Sequence, residues 1–448
     1  MKRQDYQAKI RELLDANQTE ALRALVNAID PAEIEECFGD LEREERELLL
    51  RLLEPEAAAE VLGSADEHIQ DELTETLSHE EIAELVEAMD SDEAADTVRR
   101  LEPEQQGRVL ELLEDETEDE LRQLLTHDED TAGDLMMAEL PAVREEAIVA
   151  EVIEFLREHA DEYRELYEIY VVDAQRRLRG VLPLRDLVLA RPGMPLKAVM
   201  SPATALVTPS MDQEEVAGIF RKYDMVSLPV VDEDGVLVGR ITVDDILDVI
   251  EDEASEDISR LAGLGEESFR PLGLFRLTRE RLPWLILGLA GGLLSARIIK
   301  SFQGSLAQML QVAFFIPVIT ALGGNIGIQS STIIVRGLAT GEVRSGGFWA
   351  RILREASISV LNGLVIGLLT FLVVTFWLDN PPLGVVVSVS MLSVVLWATL
   401  TGTLVPLGLR RLGFDPAYAT GPFVTTTNDI VDLSIYMGIA FHYRHLLA

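Results

Sequence analysis

PFVTTTNDIVDLSIYM, residues 422–437, places two carboxylates, Asp429 and Asp432, inside the last hydrophobic stretch of the chain. A carboxylate near the centre of a spanning helix costs at least ~2.5 kcal/mol and survives where it faces a cavity, a partner or an ion. The stretch therefore predicts a membrane helix whose polar face handles cations.

Working outward, stretches long enough to cross a bilayer (about 17–25 residues) fall at 283–302, 306–337, 352–378, 383–409 and 417–441. The second contains Gly323, Gly324 and Gly327, which predict a broken helix lining a cavity. Ten bases lie on one side of this array: Arg270, Arg276, Arg279, Arg281, Arg336, Arg344, Arg351, Arg354, Arg410 and Arg411. Arg297, Lys300 and Arg444 lie on the other. The positive-inside rule then predicts a multi-pass protein of the cell membrane, with residues 1–281 cytoplasmic and the C-terminus external. No cleavable signal peptide is expected from the polar, amphipathic start MKRQDYQAKI.

The net charge of −40 is divided unevenly. Residues 1–269 hold 71 acids and 25 bases, whereas residues 270–448 hold seven acids and thirteen bases. Two environments follow, with a boundary near residue 270. The acidic part excludes nucleic acid as a partner. Most of its carboxylates read as solvating surface suited to concentrated salt, in keeping with five lysines against 33 arginines. One cysteine, Cys37, excludes a disulfide framework and a cysteine-rich metal site.

Residues 1–130 read as short helices. The segments IDPAEIEE (29–36), LEPEAAAEVL (53–62), MDSDEAADTV (89–98) and LEPEQQGRVL (101–110) each set an acid before Pro or Ser, an N-cap followed by a first helical turn. Such repetition predicts an α-helical superhelix. Residues 131–257 alternate strand and helix in two units. The second is the clearer, with Ala205–Thr208, Ser227–Val231 and Val236–Ile241 as strands, the turn Asp232-Glu233-Asp234-Gly235, and helices at Asp212–Tyr223 and Val243–Glu253. This resembles a pair of CBS domains. GRITVDD (239–245) resembles their adenine-nucleotide signature, which implies Gly239, Thr242 and Asp245 as a site for ATP; the alternative is a CBS pair that acts only as a dimerising scaffold. In the first unit, GVLPLRD (180–186) has Pro183 where the hydroxyl belongs.

DTAGDLM (130–136), GRITVDDILDVIEDEASEDI (239–258), GGNIGIQSSTIIVRGLATGEV (323–343) and GPFVTTTNDIVDLSIY (421–436) resemble the MgtE family of magnesium channels. The likeness spans nearly the whole chain. It implies an acidic helical domain (1–130), CBS units (131–196 and 197–253), a linking helix (254–281) and a five-helix pore domain (282–448). It also implies a homodimer with one pore, in which Asp429 contacts hydrated Mg²⁺ with Asn325, Thr425 and Thr426 nearby. Ile328 departs from the family pattern, and so does Asp432, which replaces a small residue and either extends the ion path or meets a polar contact. By the same resemblance Mg²⁺ closes the pore by bridging acids of the cytoplasmic part. The matching residues are Glu60, Asp92, Asp96, Glu214, Asp224, Asp245, Asp248, Glu253, Glu256 and Asp257. Alternatives are a carrier of Mn²⁺, Co²⁺ or Ni²⁺ and a membrane-anchored sensor without transport. No nucleophile–base constellation, P-loop or zinc spacing points to an enzyme.

Overall fold

The computed structural model describes residues 3–160, 163, 166–261, 274–307, 309–339, 348–412, 414, 416 and 421–447. It divides into two compact units, Met1–Asp252 and Glu253–Ala448.

The first unit opens with ten short helices: α1 (Arg3–Asp15), α2 (Thr19–Val26), α3 (Pro31–Phe38), α4 (Arg43–Leu52), α5 (Pro55–Gly63), α6 (Glu67–Thr74), α7 (His79–Ala88), α8 (Ser91–Arg100), α9 (Pro103–Leu110) and α10 (Asp115–Leu124). Each is too short to persist alone, so packing must hold it. Alternate helices stack, α2 on α4 on α6 and α3 on α5 on α7 on α9, which gives the layered superhelix that the repeats suggest. The acids Asp30, Glu54, Asp90 and Glu102 do occupy N-cap positions. Of these four, Asp30 makes a side-chain cap bond, accepting from the Ala32 amide. Ser78 and Glu81 form a reciprocal capping box on α7.

The first CBS unit follows as β1 (Ala142–Arg144), α11 (Val149–Glu158), β2 (Glu168–Val172), β3 (Leu178–Pro183) and α12 (Leu184–Leu189), with β1 parallel and β3 antiparallel to β2. The second is α13 (Gln213–Tyr223), β4 (Ser227–Val231), β5 (Leu237–Thr242) and α14 (Val243–Leu261), with β4 and β5 antiparallel. The strand expected at Ala205–Thr208 reduces to one parallel bridge, Val207 to Val230. Pro202 and Pro209 bracket it and remove the amides a longer ladder needs. The turn between β4 and β5 is set by Asp232, whose Oδ1 accepts from the amides of Asp234 and Val236, and by Gly235 at φ +78°. The closing helix runs past residue 253 to Leu261. Of the expected linking helix, residues 262–273 lie outside the described residues.

One apolar core joins the ten-helix region to the second CBS unit, running from Ile34, Leu62 and Val98 through Met136 to Phe220, Leu228 and Ile246. This continuity sets α8 against the start of α14. The first CBS unit has its own core around Val149, Ile169 and Leu182. A smaller cluster of Tyr170, Val172, Val181, Val231 and Leu237 seals the two CBS units together.

The second unit contains α15 (Leu274–Ser301), two single turns α16 (Gln303–Leu306) and α17 (Leu310–Ala313), then α18 (Ile316–Ala339), α19 (Phe348–Leu378), α20 (Pro381–Arg411), α21 (Pro422–His442) and a last turn α22 (Arg444–Leu447). Among the described residues, four stretches are long and apolar enough to cross a membrane: Arg281–Ser301, Leu310–Leu338, Ile352–Leu378 and Pro381–Arg411. The fifth expected span, α21, is 21 residues, about 32 Å long, but Asn428, Asp429, Asp432 and its threonines lower its hydropathy. It is nonetheless packed among α15, α18 and α20. The expected break at Gly323, Gly324 and Gly327 does not occur, because α18 runs straight through them. Chain irregularity falls earlier, between α15 and Pro317 in the first turn of α18. Leu289, Leu361, Leu368 and Phe376 stand exposed on the outer faces, as lipid contact requires.

At the CBS junction the Tyr170 hydroxyl lies 2.5 Å from Ser227 Oγ, both buried. Replacing Tyr170 by Phe orphans Ser227 and should lower the urea-unfolding free energy of a fragment spanning residues 1–261 by about 1–3 kcal/mol. An unchanged midpoint would show that this bond contributes nothing.

Candidate functional site

Two acidic regions, one in each unit, carry the chemistry. In the helical bundle, the core around Met391, Val394 and Tyr436 and the cluster Ile334, Leu338 and Leu407 are separated by a polar layer. Ser330, Ser331, Thr403, Asn428 and Asp432 are buried there. Glycines admit them. A Cβ on Gly323 would collide with the Asp432 carboxylate, and one on Gly327 with the Asn428 amide. A Cβ on Gly324 would lie 3.3 Å from the Thr425 methyl, and one on Gly402 would meet the Gly327 carbonyl at 2.5 Å. Small residues here serve close helix approach, which is how membrane helices associate.

Asp429 is half-buried on α21, whereas Asp432 is 0% exposed and neither of its carboxylate oxygens has a hydrogen-bond partner. No Lys or Arg occurs on α18 from Ile316 to Val335 or on α20 from Pro381 to Leu409. Arg297 of α15 is exposed. The charged neighbour of Asp432 is Asp429. At the ~5–6 Å of an i,i+3 pair, two such charges repel by about 3 kcal/mol at an effective dielectric of 20. Of the other sequence candidates, Thr425 faces α18 and hydrogen-bonds the Gly421 carbonyl, Thr426 packs on Gly291 of α15, and Asn325 is exposed. Asn428 at the centre of the layer was not among the residues singled out from sequence. Its motif neighbour Asp429 drew the reading because a charge in an apolar run is conspicuous and an amide is not.

In the first unit, Asp92 of α8 and Asp245 of α14 come together. Asp92 is buried and its Oδ1 has no hydrogen-bond partner. Burial first, then Asp245, Glu93 and Glu139, hold its carboxyl well above the ordinary range. Asp245 is pushed up to about 7 by burial and by Asp244, against the bonds it accepts from Thr242; Asp248 adds to the rise. Asp248 and Asp252 are also raised, by burial and then by Asp244 and Asp248 respectively. Asp96, which keeps solvent contact, is raised to about 6 by its crowded surroundings and by Asp134, opposed by Arg100 and Arg99. Glu139 accepts from Ser91 at 2.7 Å beside Asp92. Glu93, the residue after Asp92, and Glu139, brought in by tertiary packing, belong to this cluster as well. Hard carboxylate oxygens with an unpartnered buried member suit a divalent cation such as Mg²⁺. Among the described residues, no three His, Cys, Asp or Glu side chains already stand close enough to enclose one.

The remaining acids are dispersed. Glu60 and Glu214 are exposed on α5 and α13. Asp224, also exposed, ends α13 in the left-handed conformation at φ 52°, a backbone role. Glu253 and Glu256 lie on the second unit's part of α14, where Glu256 pairs with Arg260. The Asp257 side chain lies outside the described residues. In the nucleotide motif, the buried Thr242 hydroxyl is engaged by Asp244 and by Asp245 (2.8 Å), and Gly239 is covered by Met136.

Residues 316–439 match the family described as a divalent cation transporter, residues 29–130 its intracellular N domain, and residues 132–193 and 196–252 the CBS domain. The magnesium transporter MgtE of Thermus thermophilus is 39% identical, covering 96% of this chain and 97% of its own. That of Bacillus subtilis is 33% identical over 95% and 94%. A crystal structure of the cytosolic domain of the Mg²⁺ channel MgtE in complex with ATP is 40% identical, covers 54% of this chain and 99% of its own, and superposes with a TM-score of 0.52. The soluble part of a magnesium transporter gives 29% identity, 56% and 100% coverage, and 0.53. The full-length match, with carboxylates in a glycine-lined helix crossing and a CBS pair below an acidic helical domain, makes this chain a member of the MgtE family of magnesium transporters.

Proposed function

We propose that a homodimer of this chain in the cell membrane forms a Mg²⁺ channel with its N-terminus cytoplasmic, and that cytoplasmic Mg²⁺ on the acidic cluster closes it. The observation that carries the reading is the pair Asp429–Asp432, set in a membrane helix with no protein cation beside it among the described residues. Asp429, half-buried in one subunit, is the group placed to meet a hydrated ion; Asn325, Thr425 and Thr426 are the polar neighbours from the sequence reading. Asp432 supplies negative field from behind. Magnesium dehydrates reluctantly and prefers oxygen ligands in an octahedron. Carboxylates can hold it through its water shell, and rings of acids are a recurrent cation-channel device. Oxygen ligands, with no Cys or His in the polar layer, disfavour Co²⁺ or Ni²⁺ as the preferred cargo, and a site that holds the ion through its water shell favours Mg²⁺, which dehydrates reluctantly, over Mn²⁺. Membrane potential supplies ~2.3 kcal/mol per charge per 100 mV, so entry needs no further energy source. Nothing in this scheme calls for an enzymatic step.

Closure follows from the Asp92–Asp245 pair. Two carboxylates sharing one dry interface repel, and a divalent ion between them turns the repulsion into a bridge joining the helical domain to the second CBS unit. ATP at the same CBS unit would have to draw Thr242 away from Asp244 and Asp245, so nucleotide and Mg²⁺ draw on one set of groups.

Asp429→Asn should abolish Mg²⁺ flux into proteoliposomes at unchanged protein folding, and flux surviving undiminished would sink the channel reading. Competition by Mn²⁺, Co²⁺ and Ni²⁺ in the same assay should be weaker than self-competition by Mg²⁺.

Asp92→Asn should raise the cytoplasmic-side Mg²⁺ needed for half-closure by about tenfold, a coupling of ~1.4 kcal/mol. The effect should persist in 1 M salt, where screening reaches about 3 Å, because it is direct coordination; disappearance at high salt would contradict the bridging account.

Carboxyls raised in the folded state stabilise the fold fully below their unfolded value, and lose that contribution as pH rises through the folded value. The thermal midpoint of the extramembrane part without divalent ions should therefore fall as pH rises through about 7, the value at Asp245. Millimolar Mg²⁺ should suppress the fall, and Asp245→Asn should flatten it. A midpoint rising over that range would contradict the assignment.

A further inference from the structure

We propose that Asn428 is a positioning residue: its side-chain amide ties α18, α20 and α21 together and thereby fixes the direction in which Asp429 points. The proposal rests on Asp429 being the ion-facing carboxylate.

Asn428 is 0% exposed. Its Oδ1 accepts from the Thr401 hydroxyl of α20 at 2.8 Å, nearer than the Trp397 and Ala398 carbonyls that the hydroxyl also reaches. Its Nδ2 reaches the Gly323 carbonyl of α18 at 3.4 Å. One carboxamide thus uses its acceptor toward one helix and its donor toward another from two separate atoms, which a carboxylate, a hydroxyl or an alkyl group cannot do. Gly327 leaves the space the amide fills, and Gly402 lets α20 close on Gly327. The crossing is shaped around this side chain.

Asp429 is the next residue, about 100° further round α21. Binding groups must be held within about 0.5 Å and 10–20° to act. Among the described residues no hydrogen bond holds the Asp429 carboxylate, and its partly exposed position leaves it steered by its backbone. The Asn428 tie is the polar contact on α21 that joins it to both α18 and α20 at that level. A rotation of α21 that released the tie would swing Asp429 by the same angle.

The test uses the full chain in proteoliposomes, with folded protein quantified by size exclusion and Mg²⁺ flux measured per folded channel. Asn428→Leu keeps the forked shape of the side chain and removes both bonds. It should raise the half-saturating external Mg²⁺ by about tenfold, the loss expected for one neutral hydrogen bond, and weaken discrimination against Mn²⁺. Thr401→Val should move both readouts the same way by less, and Thr401→Ser, which keeps the hydroxyl, should restore most of that loss. A folded Asn428→Leu channel with unaltered half-saturation and discrimination overturns the proposal. So does Thr401→Ser behaving like Thr401→Val. If Asn428→Leu does not fold, the two Thr401 variants decide the matter alone. Asp429→Asn separates the two levels: undiminished flux overturns the underlying reading as well, whereas lost flux beside a silent Asn428 and Thr401 series overturns positioning only.

Discussion

Negative charge kept from water with no protein cation to balance it is the constraint around which this molecule is organised. A buried carboxylate left alone is expensive, and the expense is relieved when a partner arrives. Asp432 is enclosed with both oxygens unpartnered, and Asp92 is buried beside three other acids. In both units the missing partner has the same chemistry, a small cation. On the function proposed above, that cation is the cargo in the bundle and the signal in the soluble unit.

The two regions solve the packing problem differently. In the bundle, glycines on α18 and α20 remove side chains so that polar groups of α21 can enter, and apolar clusters on either side of the layer hold the helices. In the soluble unit, a single apolar core running from the ten-helix region into the second CBS unit presses α8 onto α14 despite the repulsion between their acids. Apolar burial thus opposes electrostatic strain across one interface, and the balance is open to adjustment by an ion. The Thr242 bonds to Asp244 and Asp245 add a second control on the same carboxylates.

Much of this was legible in the chain itself. The charge of Asp429 inside an apolar run, the Asp232–Gly235 turn and the recurring acid-plus-proline helix starts all express local chemistry, and local chemistry is what a linear reading sees. The helix expected to break at Gly323, Gly324 and Gly327 stays continuous because the residues that fill those gaps, Asp432, Thr425 and Asn428, come from another helix about a hundred positions away. Glu139 escaped notice for the same reason: it joins Asp92 through folding, and among so many surface acids nothing marks it. Asp224 ends a helix in the left-handed conformation, so its backbone has a local role beside whatever its carboxylate does.

The low hydropathy of α21 bears on how the protein is made. A translocon weighs each segment by its own partitioning, and an aspartate near the centre of a helix is charged roughly 2.5–3.5 kcal/mol on that scale. With two such residues, the final segment is poorly suited to enter lipid on its own merits. Its entry must be assisted by the preceding helices, whose glycine-lined notches receive Asn428 and Asp432 as it arrives. For this segment, entry into the membrane and assembly of the proposed ion path are a single event.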